Sequence, residues 1–171
     1  MQINTSNSQK LAELRSFLGN LEATRVDLRE PDADALTVAA VKALQAGPGV
    51  LIDDASLDVD GADIGVNVKW RMGALVDLVG RPAVFRVTLA YQTPQGEVRV
   101  YQGAVRGQVC PPVVEGFGFD AYFQPEEGSV PLSVHKPDNL NPRSLACQAL
   151  LADQPIKTFE PFVWEGPWQE I

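Results

Sequence analysis

The sequence predicts an α/β or α+β sheet protein, and three observations predict it. Apolar residues recur at helical spacing in segments that alternate with short strand-like runs, and a hairpin of two longer strand-like runs follows them. The 171 residues are 45% hydrophobic and 21% charged, the balance of a chain that buries a core rather than one that stays disordered. That length holds one domain with a sizeable core, and no repeat, low-complexity tract or linker divides it, so residues 1–171 are expected to form a single folding unit.

Ile3 opens a very short strand. Thr5-Ser6-Asn7 then supplies capping side chains for a helix whose Lys10, Leu11, Leu14, Phe17 and Leu18 follow a helical period. Ala23 to Leu28 reads as a strand, and Asp32 or Asp34 caps a second helix carrying Leu36, Val38, Ala39, Val41 and Leu44 toward the core. Gly47-Pro48-Gly49 ends it. Val50-Leu51-Ile52 is a brief apolar run that delivers Asp53 and Asp54 at its carboxyl end, as a buried strand emptying into a site does. Val68, Met72, Leu75, Val76 and Val79 mark a further helix over 68–78, closed by Gly80 and Pro82. The hairpin runs from Ala83 to Tyr91 and from Val98 to Val105 around Pro94-Gln95-Gly96, and a last helix spans Arg143 to Leu151. Residues 153–171 set Pro155, Pro161 and Pro167 among Phe159, Phe162, Trp164 and Trp168, an extension too proline-rich for regular structure and too aromatic for a free tail. It is expected to dock on the body or on a partner chain.

The formal charge of −8 argues against a broad basic footprint for polymeric nucleic acid. Any phosphate must be met by a few local cations, by amides or by a metal. Cys110 and Cys147 have neither metal-ligand nor redox-pair spacing, which fits a reducing compartment. The start of the chain lacks a basic region followed by an apolar run, and no apolar stretch is long enough to span a bilayer, so the expected location is cytoplasmic and off the membrane. His135 is the sole histidine and has no cysteine or histidine near it, which makes zinc a poor fit. No serine sits in a nucleophile-elbow context either.

The polar clusters each admit a chemical and a structural reading. Thr5, Ser6 and Asn7 with Lys10 place amides and a cation where a helix begins, a setting for phosphate oxygens or simply a capped helix. Glu30, Asp53 and Asp54 offer the hard oxygens that Mg²⁺ requires, or a solvated acidic turn continued by Asp58 and Asp60. Lys69, next to Trp70, opposes the dipole of the helix it begins, so with Lys136 and Arg143 downstream it either faces an anion or is an ordinary solvated lysine. Gly116-Phe117-Gly118-Phe119-Asp120 places two aromatics and a carboxylate on a glycine-punctuated turn: a slot for a planar ring, or a broken strand with its rings in the core.

These segments also carry a resemblance. Thr5-Ser6-Asn7-Ser8-Gln9-Lys10-Leu11 looks like a Thr-Gly-Asn-x-x-Lys-Leu phosphate loop with Ser6 in place of glycine, and Glu30-Pro31-Asp32 with Lys42-Ala43 looks like the acidic loop and helix that follow it. Leu51-Ile52-Asp53-Asp54-Ala55-Ser56-Leu57 is similar to an acid-Asp-Thr/Ser-x-Leu strand, and Val68-Lys69-Trp70 to a Lys-Trp helix start. Gly116 to Pro125 is similar to Gly-Phe-Gly-Trp/Tyr-Asp-Pro-x-Phe-x-Pro, with Ala121 replacing the proline. In this order, from about Ile3 to Leu151, they resemble the inosine triphosphate pyrophosphatase, or Ham1-like, family.

The resemblance implies a two-lobed α/β fold around a long, bent mixed sheet with flanking helices, a homodimer, and Mg²⁺-dependent hydrolysis of noncanonical purine nucleoside triphosphates to monophosphate and pyrophosphate. It assigns Mg²⁺ to Glu30, Asp53 and Asp54, with Asp54 also the base. The triphosphate falls to Thr5, Ser6, Asn7, Lys10 and Lys69, with Lys10 and Lys69 counted as catalytic. The base falls to Phe117, Gly118, Phe119, Asp120, Lys136 and Arg143. Pro142 stands where the family has histidine, which implies altered base selectivity. An alternative is a catalytically weak relative that binds nucleotide as a sensor; a role in assembly through the aromatic extension is a third reading.

Overall fold

Alternation of polar and apolar side chains along Val50–Val59 organises the protein. The computed structural model describes residues 1–62, 72–116 and 118–169. Its elements are β1 (Gln2–Asn4), α1 (Ser8–Leu18), β2 (Glu22–Thr24), α2 (Ala35–Ala46), β3 (Val50–Val59), β4 (Pro82–Gln92), β5 (Val98–Val109), β6 (Phe123–Pro125), α3 (Pro142–Leu151) and β7 (Lys157–Phe159). Single 3₁₀ segments span Met72–Leu78, Asp120–Tyr122 and Asp138–Leu140. The α/β class and the mixed sheet agree with the sequence. Strands run in the order β2-β1-β3-β4-β5-β6, parallel from β2 to β3 and antiparallel from β3 onward. β7 shares the outer edge of β5 with β6, each at its own end.

A strand sends successive side chains to opposite faces, so each face of this sheet builds its own core. On one face Ile52, Ala90, Val98 and Val100 meet Ala39, Ala40 and Ala43 of α2. On the other, Leu51, Leu57, Phe85, Val87, Leu89 and Tyr101 meet Leu14 of α1 and Ala146 and Cys147 of α3. Helix α3 approaches β5 so closely that a Cβ on Gly103 would stand 2.1 Å from the Pro142 carbonyl oxygen, so only glycine fits there.

Three expectations change in the structure. The strand expected over Ala23–Leu28 stops at Thr24, because its partner β1 is only three residues long. Beyond it the Asn4 side chain takes over, accepting the Val26 N–H at 2.7 Å and donating to the Val26 carbonyl at 2.9 Å. The helix expected over 68–78 is 3₁₀ from Met72 to Leu78, with Leu75 buried and Val76 and Val79 exposed; residues 63–71 lie outside the described chain. Asp53 and Asp54 are interior to β3 rather than at its end, since Ala55, Leu57 and Val59 continue the alternation.

The extension after α3 docks on the body of its own chain. β7 pairs with β5, and Phe159 and Phe162, with ring centroids 5.4 Å apart, pack on the α2 core beside Leu28 and Leu36. Among the described residues no helix is long and apolar enough to cross a membrane.

Candidate active site

The adjacent acids Asp53 and Asp54 face opposite sides of the sheet and meet different helices. Asp53 turns toward α3, where Arg143 Nε donates to Oδ2 at 2.6 Å and Nη2 donates to Oδ1 at 3.1 Å. Lys10 Nζ lies 3.3 Å from the same Oδ1. Burial alone would raise the Asp53 carboxyl, but the guanidinium and the ammonium overcome it and hold the group well below the usual carboxylate range. Asn141 places Arg143 there: it caps α3, its Oδ1 accepting the N–H of Arg143 at 2.9 Å and of Ser144 at 3.4 Å. Pro142 occupies the first helical turn, where a fixed φ suits the helix and a missing N–H costs nothing.

From Arg143 the charges continue in alternating sign. Its Nη1 donates to Glu13 Oε1 at 3.0 Å, Lys136 Nζ donates to Glu13 Oε2 at 3.0 Å, and the same Nζ donates to Asp120 Oδ2 at 2.9 Å. Lys10, Asp53, Arg143, Glu13, Lys136 and Asp120 thus form a chain of three cations and three carboxylates that runs from β3 across α1 to the aromatic turn. Formal charge cancels along it, which lets so many ionised groups share a largely buried region. Burial raises the Asp120 carboxyl despite Lys136.

On the opposite face lies a second cluster with a different balance. Lys42 Nζ of α2 stands 3.3 Å from Glu30 Oε1 and 3.3 Å from Asp54 Oδ1. Burial would lower the Lys42 ammonium, but Asp54 and Glu30 together raise it, and burial raises Asp54 itself. Among the described residues, Glu30 and Asp54 both bring a carboxylate oxygen to Lys42, and Lys10 also acts on Asp54. Hard oxygens converging on a cation are the donor set a divalent metal prefers, so Glu30 and Asp54 fit such an ion. Asp53 does not fit it, because both of its oxygens are engaged by Arg143 and it faces away. No group of three acidic, histidine or cysteine ligands exists among the described residues, so water and substrate oxygens would complete the coordination.

The structure sets the other expected residues as follows. Thr5 Oγ1 accepts the Asn7 N–H at 3.1 Å, and Asn7 Oδ1 accepts the N–H groups of Gln9 and Lys10 at 3.0 Å each, while Ser6 is exposed at the same helix start. Gly118 adopts φ +60°, the left-handed turn that leads into Asp120–Tyr122. Phe119, expected to flank a base, is spent on the core: it is 4% exposed and its ring meets Phe85 edge-on with centroids 4.3 Å apart. Arg143, expected to read a base edge, is likewise 1% exposed and spent on Asp53 and Glu13. Lys69 and Phe117 lie outside the described residues. A hollow of about 390 Å³ beside the aromatic turn is lined by Pro112, Val114, Gly116, Gly118, Ala121 and Tyr122.

The family profile described as the Ham1 family matches residues 1–153. The chain belongs to the Ham1 family. A dITP/XTP pyrophosphatase of Leifsonia xyli subsp. xyli is 28% identical to it, with 89% of this chain and 92% of that protein covered. An inosine triphosphate pyrophosphatase of Kluyveromyces lactis is also 28% identical, covering 72% and 76%. Among solved structures the Staphylococcus aureus Ham1 protein superposes with a TM-score of 0.70 at 18% identity, covering 90% of this chain and 97% of that one, which supports the fold. The Mycobacterium abscessus nucleoside-triphosphatase / dITP/XTP pyrophosphatase gives 0.66 at 26% identity, covering 91% and 100%.

One residue of this Ham1 protein's site, Glu13, carries no signal in the sequence, and another, Lys42, stands in the resemblance without a role of its own. Glu13 receives both Arg143 and Lys136, yet one acid on an amphipathic helix looks like solvated surface. Lys42 had a signal: a lysine flanked by Val41 and Ala43, both buried, needs a buried acid to face.

Proposed function

We propose that this chain is a hydrolase that cleaves noncanonical purine nucleoside triphosphates, ribo or deoxy, of the ITP and XTP kind to the monophosphate and pyrophosphate, using Mg²⁺. The observation that carries the reading is the convergence of Glu30 and Asp54 on one cationic point, one strand step from Asp53 and Lys10. Membership of the Ham1 family and the names of its pyrophosphatase relatives support it. Glu30 and Asp54 would hold Mg²⁺, which supplies charge neutralisation at the phosphates when bound. Thr5, Ser6, Asn7 and Lys10 at the start of α1, with Lys69, receive the triphosphate, a task of positioning and electrostatics. Water attacks the α-phosphorus, the bond between that phosphorus and the oxygen bridging to the β-phosphorus breaks, and pyrophosphate leaves. Asp54, on the strand beside Asp53 and Lys10, would take the proton of the attacking water.

The base enters beside the turn at Gly116–Asp120, with Phe117 as the stacking ring. Asp120 and Lys136 lie at its edge, while Arg143 and Phe119 hold the wall behind. Proline at 142 removes the imidazole donor that family members have at that position, so a broader or altered base preference than in members with the histidine is expected. The homodimer belongs to the same reading and rests on the resemblance alone.

A pyrophosphate-release screen over inosine, xanthosine, adenosine and cytidine triphosphates, with and without Mg²⁺, tests the assignment. Release is expected with Mg²⁺ only, and Asp54→Asn is expected to lower it by about 10²-fold or more. Absence of release across the panel, or an Asp54→Asn enzyme as fast as the parent, overturns it.

A further inference from the structure

Glu30 lies in irregular chain between β2 and α2, so its carboxylate serves a cation only as well as its backbone is held. Two separate parts of the protein hold it. From α2, Gln45 brackets the preceding residue: its Oε1 accepts the Arg29 N–H at 2.9 Å and its Nε2 donates to the Arg29 carbonyl at 2.7 Å. From the other side the end of the chain runs antiparallel to the loop, with Trp168 bridged to Pro31. The Asp32 N–H donates to the Pro167 carbonyl at 3.0 Å, and the Gln169 N–H donates to the Glu30 carbonyl at 2.9 Å. Gln169 Nε2 donates to the Pro31 carbonyl at 3.1 Å, and the Arg29 guanidinium lies over the Trp168 ring, 4.1 Å from its centroid. Pro31 has no N–H to give, so this short ladder uses the donor and acceptor on either side of it.

The strap is shaped before it meets the loop. Trp164 folds over Gly166, where a Cβ would come within 2.5 Å of the indole, and its Nε1 donates at 3.1 Å to the Pro167 carbonyl that also receives Asp32. The strap lies beyond residue 153, outside the stretch matched to the family, while the loop it grips lies inside that stretch.

We propose that residues 164–169 are a strap that positions Glu30 for the divalent cation, with Trp168 and Gly166 as positioning residues. The proposal rests on the reading of Glu30 as a metal ligand. Leaving one more backbone residue to be ordered on binding weakens affinity by about tenfold, so a loosened loop shows directly in metal binding.

The test uses the full chain without nucleotide and Mn²⁺ as the probe, with free ion read by electron paramagnetic resonance. Glu30→Gln, Trp168→Ala, Gly166→Val and Trp168→Phe are compared with the parent. Trp168→Ala and Gly166→Val are expected to weaken Mn²⁺ binding by about tenfold with an unchanged metal-free circular dichroism spectrum, and Trp168→Phe, which keeps a flat ring under Arg29, to recover most of it. In turnover, the divalent concentration for half-activation rises by the same factor while the rate at saturating metal stays within about twofold of the parent. Weak binding in Glu30→Gln beside parental binding in Trp168→Ala and Gly166→Val overturns the strap alone. Parental binding in Glu30→Gln removes the ligand assignment and the strap with it. Loss of the folded spectrum in both strap variants also overturns it, since the segment would then belong to the core.

Discussion

Replacing Arg143 by methionine separates a buried structural cation from a substrate-reading one. The guanidinium is 2% exposed in its side chain and makes two contacts to Asp53, itself 1% exposed, and one to Glu13. Methionine fills similar space and leaves the Asp53 carboxylate with Lys10 at 3.3 Å, and Glu13 with Lys136 at 3.0 Å. Removing one partner of a buried ion pair costs about 3–5 kcal/mol, and the surviving lysines put the expected loss near the low end, about 3 kcal/mol. Adding Asp53→Asn should return part of it, because the orphaned charge is then gone, and a coupling of about 1–3 kcal/mol is expected from the double-mutant cycle. Urea unfolding with linear extrapolation measures each term. The same pair sets an acid limit. Asp53 has its folded pKa depressed, since Arg143 and Lys10 outweigh burial, against an unfolded value of 3.8. Its stabilisation is therefore present above that value and lost as pH falls through the depressed one, so the parent should lose stability more steeply below about pH 4 than the double variant does. An Arg143→Met protein within about 1 kcal/mol of the parent in stability but devoid of activity would refute the structural role and return Arg143 to the substrate.

Two further perturbations probe the same frame. Gly103→Ala would press a methyl against the backbone of α3, 2.1 Å from the Pro142 oxygen and 2.6 Å from the Ala146 nitrogen, where no side chain can swing aside. A loss of about 2–3 kcal/mol is expected, roughly 4–12 °C in thermal unfolding; an unchanged midpoint would show that α3 seats elsewhere. Lys42→Met leaves Glu30 and Asp54 without the ammonium between them, so metal-free stability should fall by up to about 3 kcal/mol. Added Mg²⁺ should then raise the thermal midpoint more than it does in the parent, and equal shifts in the two proteins would contradict the two-carboxylate site.

Periodicity made most of this fold legible, and the parts it missed are those set by partners far away in the chain. Leu14, Val38 and Leu51 reach the core as their spacing requires. The length of β2 was not legible, because a strand is only as long as the neighbour it pairs with, and β1 ends at Asn4. The glycine-broken aromatic turn carried two readings, and Phe119 follows the structural one since Phe85 and Phe123 already form an aromatic layer beneath it. The clusters at Asp53 and Asp54 looked like one acidic pair. Sequence proximity along a strand means opposite faces, and that simple rule would have divided them.

The division gives β3 a task that depends on register. Eight residue pairs from Ile52–Ala90 to Val59–Ala83 lock β3 to β4, and β4 continues in register with β5, on which α3 rests. A slip of one residue would turn Asp54 toward Arg143 and Asp53 toward Lys42. The first face could absorb either acid, since its three cations and three carboxylates balance whichever aspartate completes it. The second face could not do so without losing the step to Lys10, which reaches Asp53 from the start of α1. Apolar residues settle the choice, because the slip would also turn Leu51 and Leu57 out of the α1–α3 core and Ile52 out of the α2 core. Burial of those leucines and that isoleucine, about 1.5–3 kcal/mol for each side chain, therefore also fixes which carboxylate meets Lys42 and Glu30.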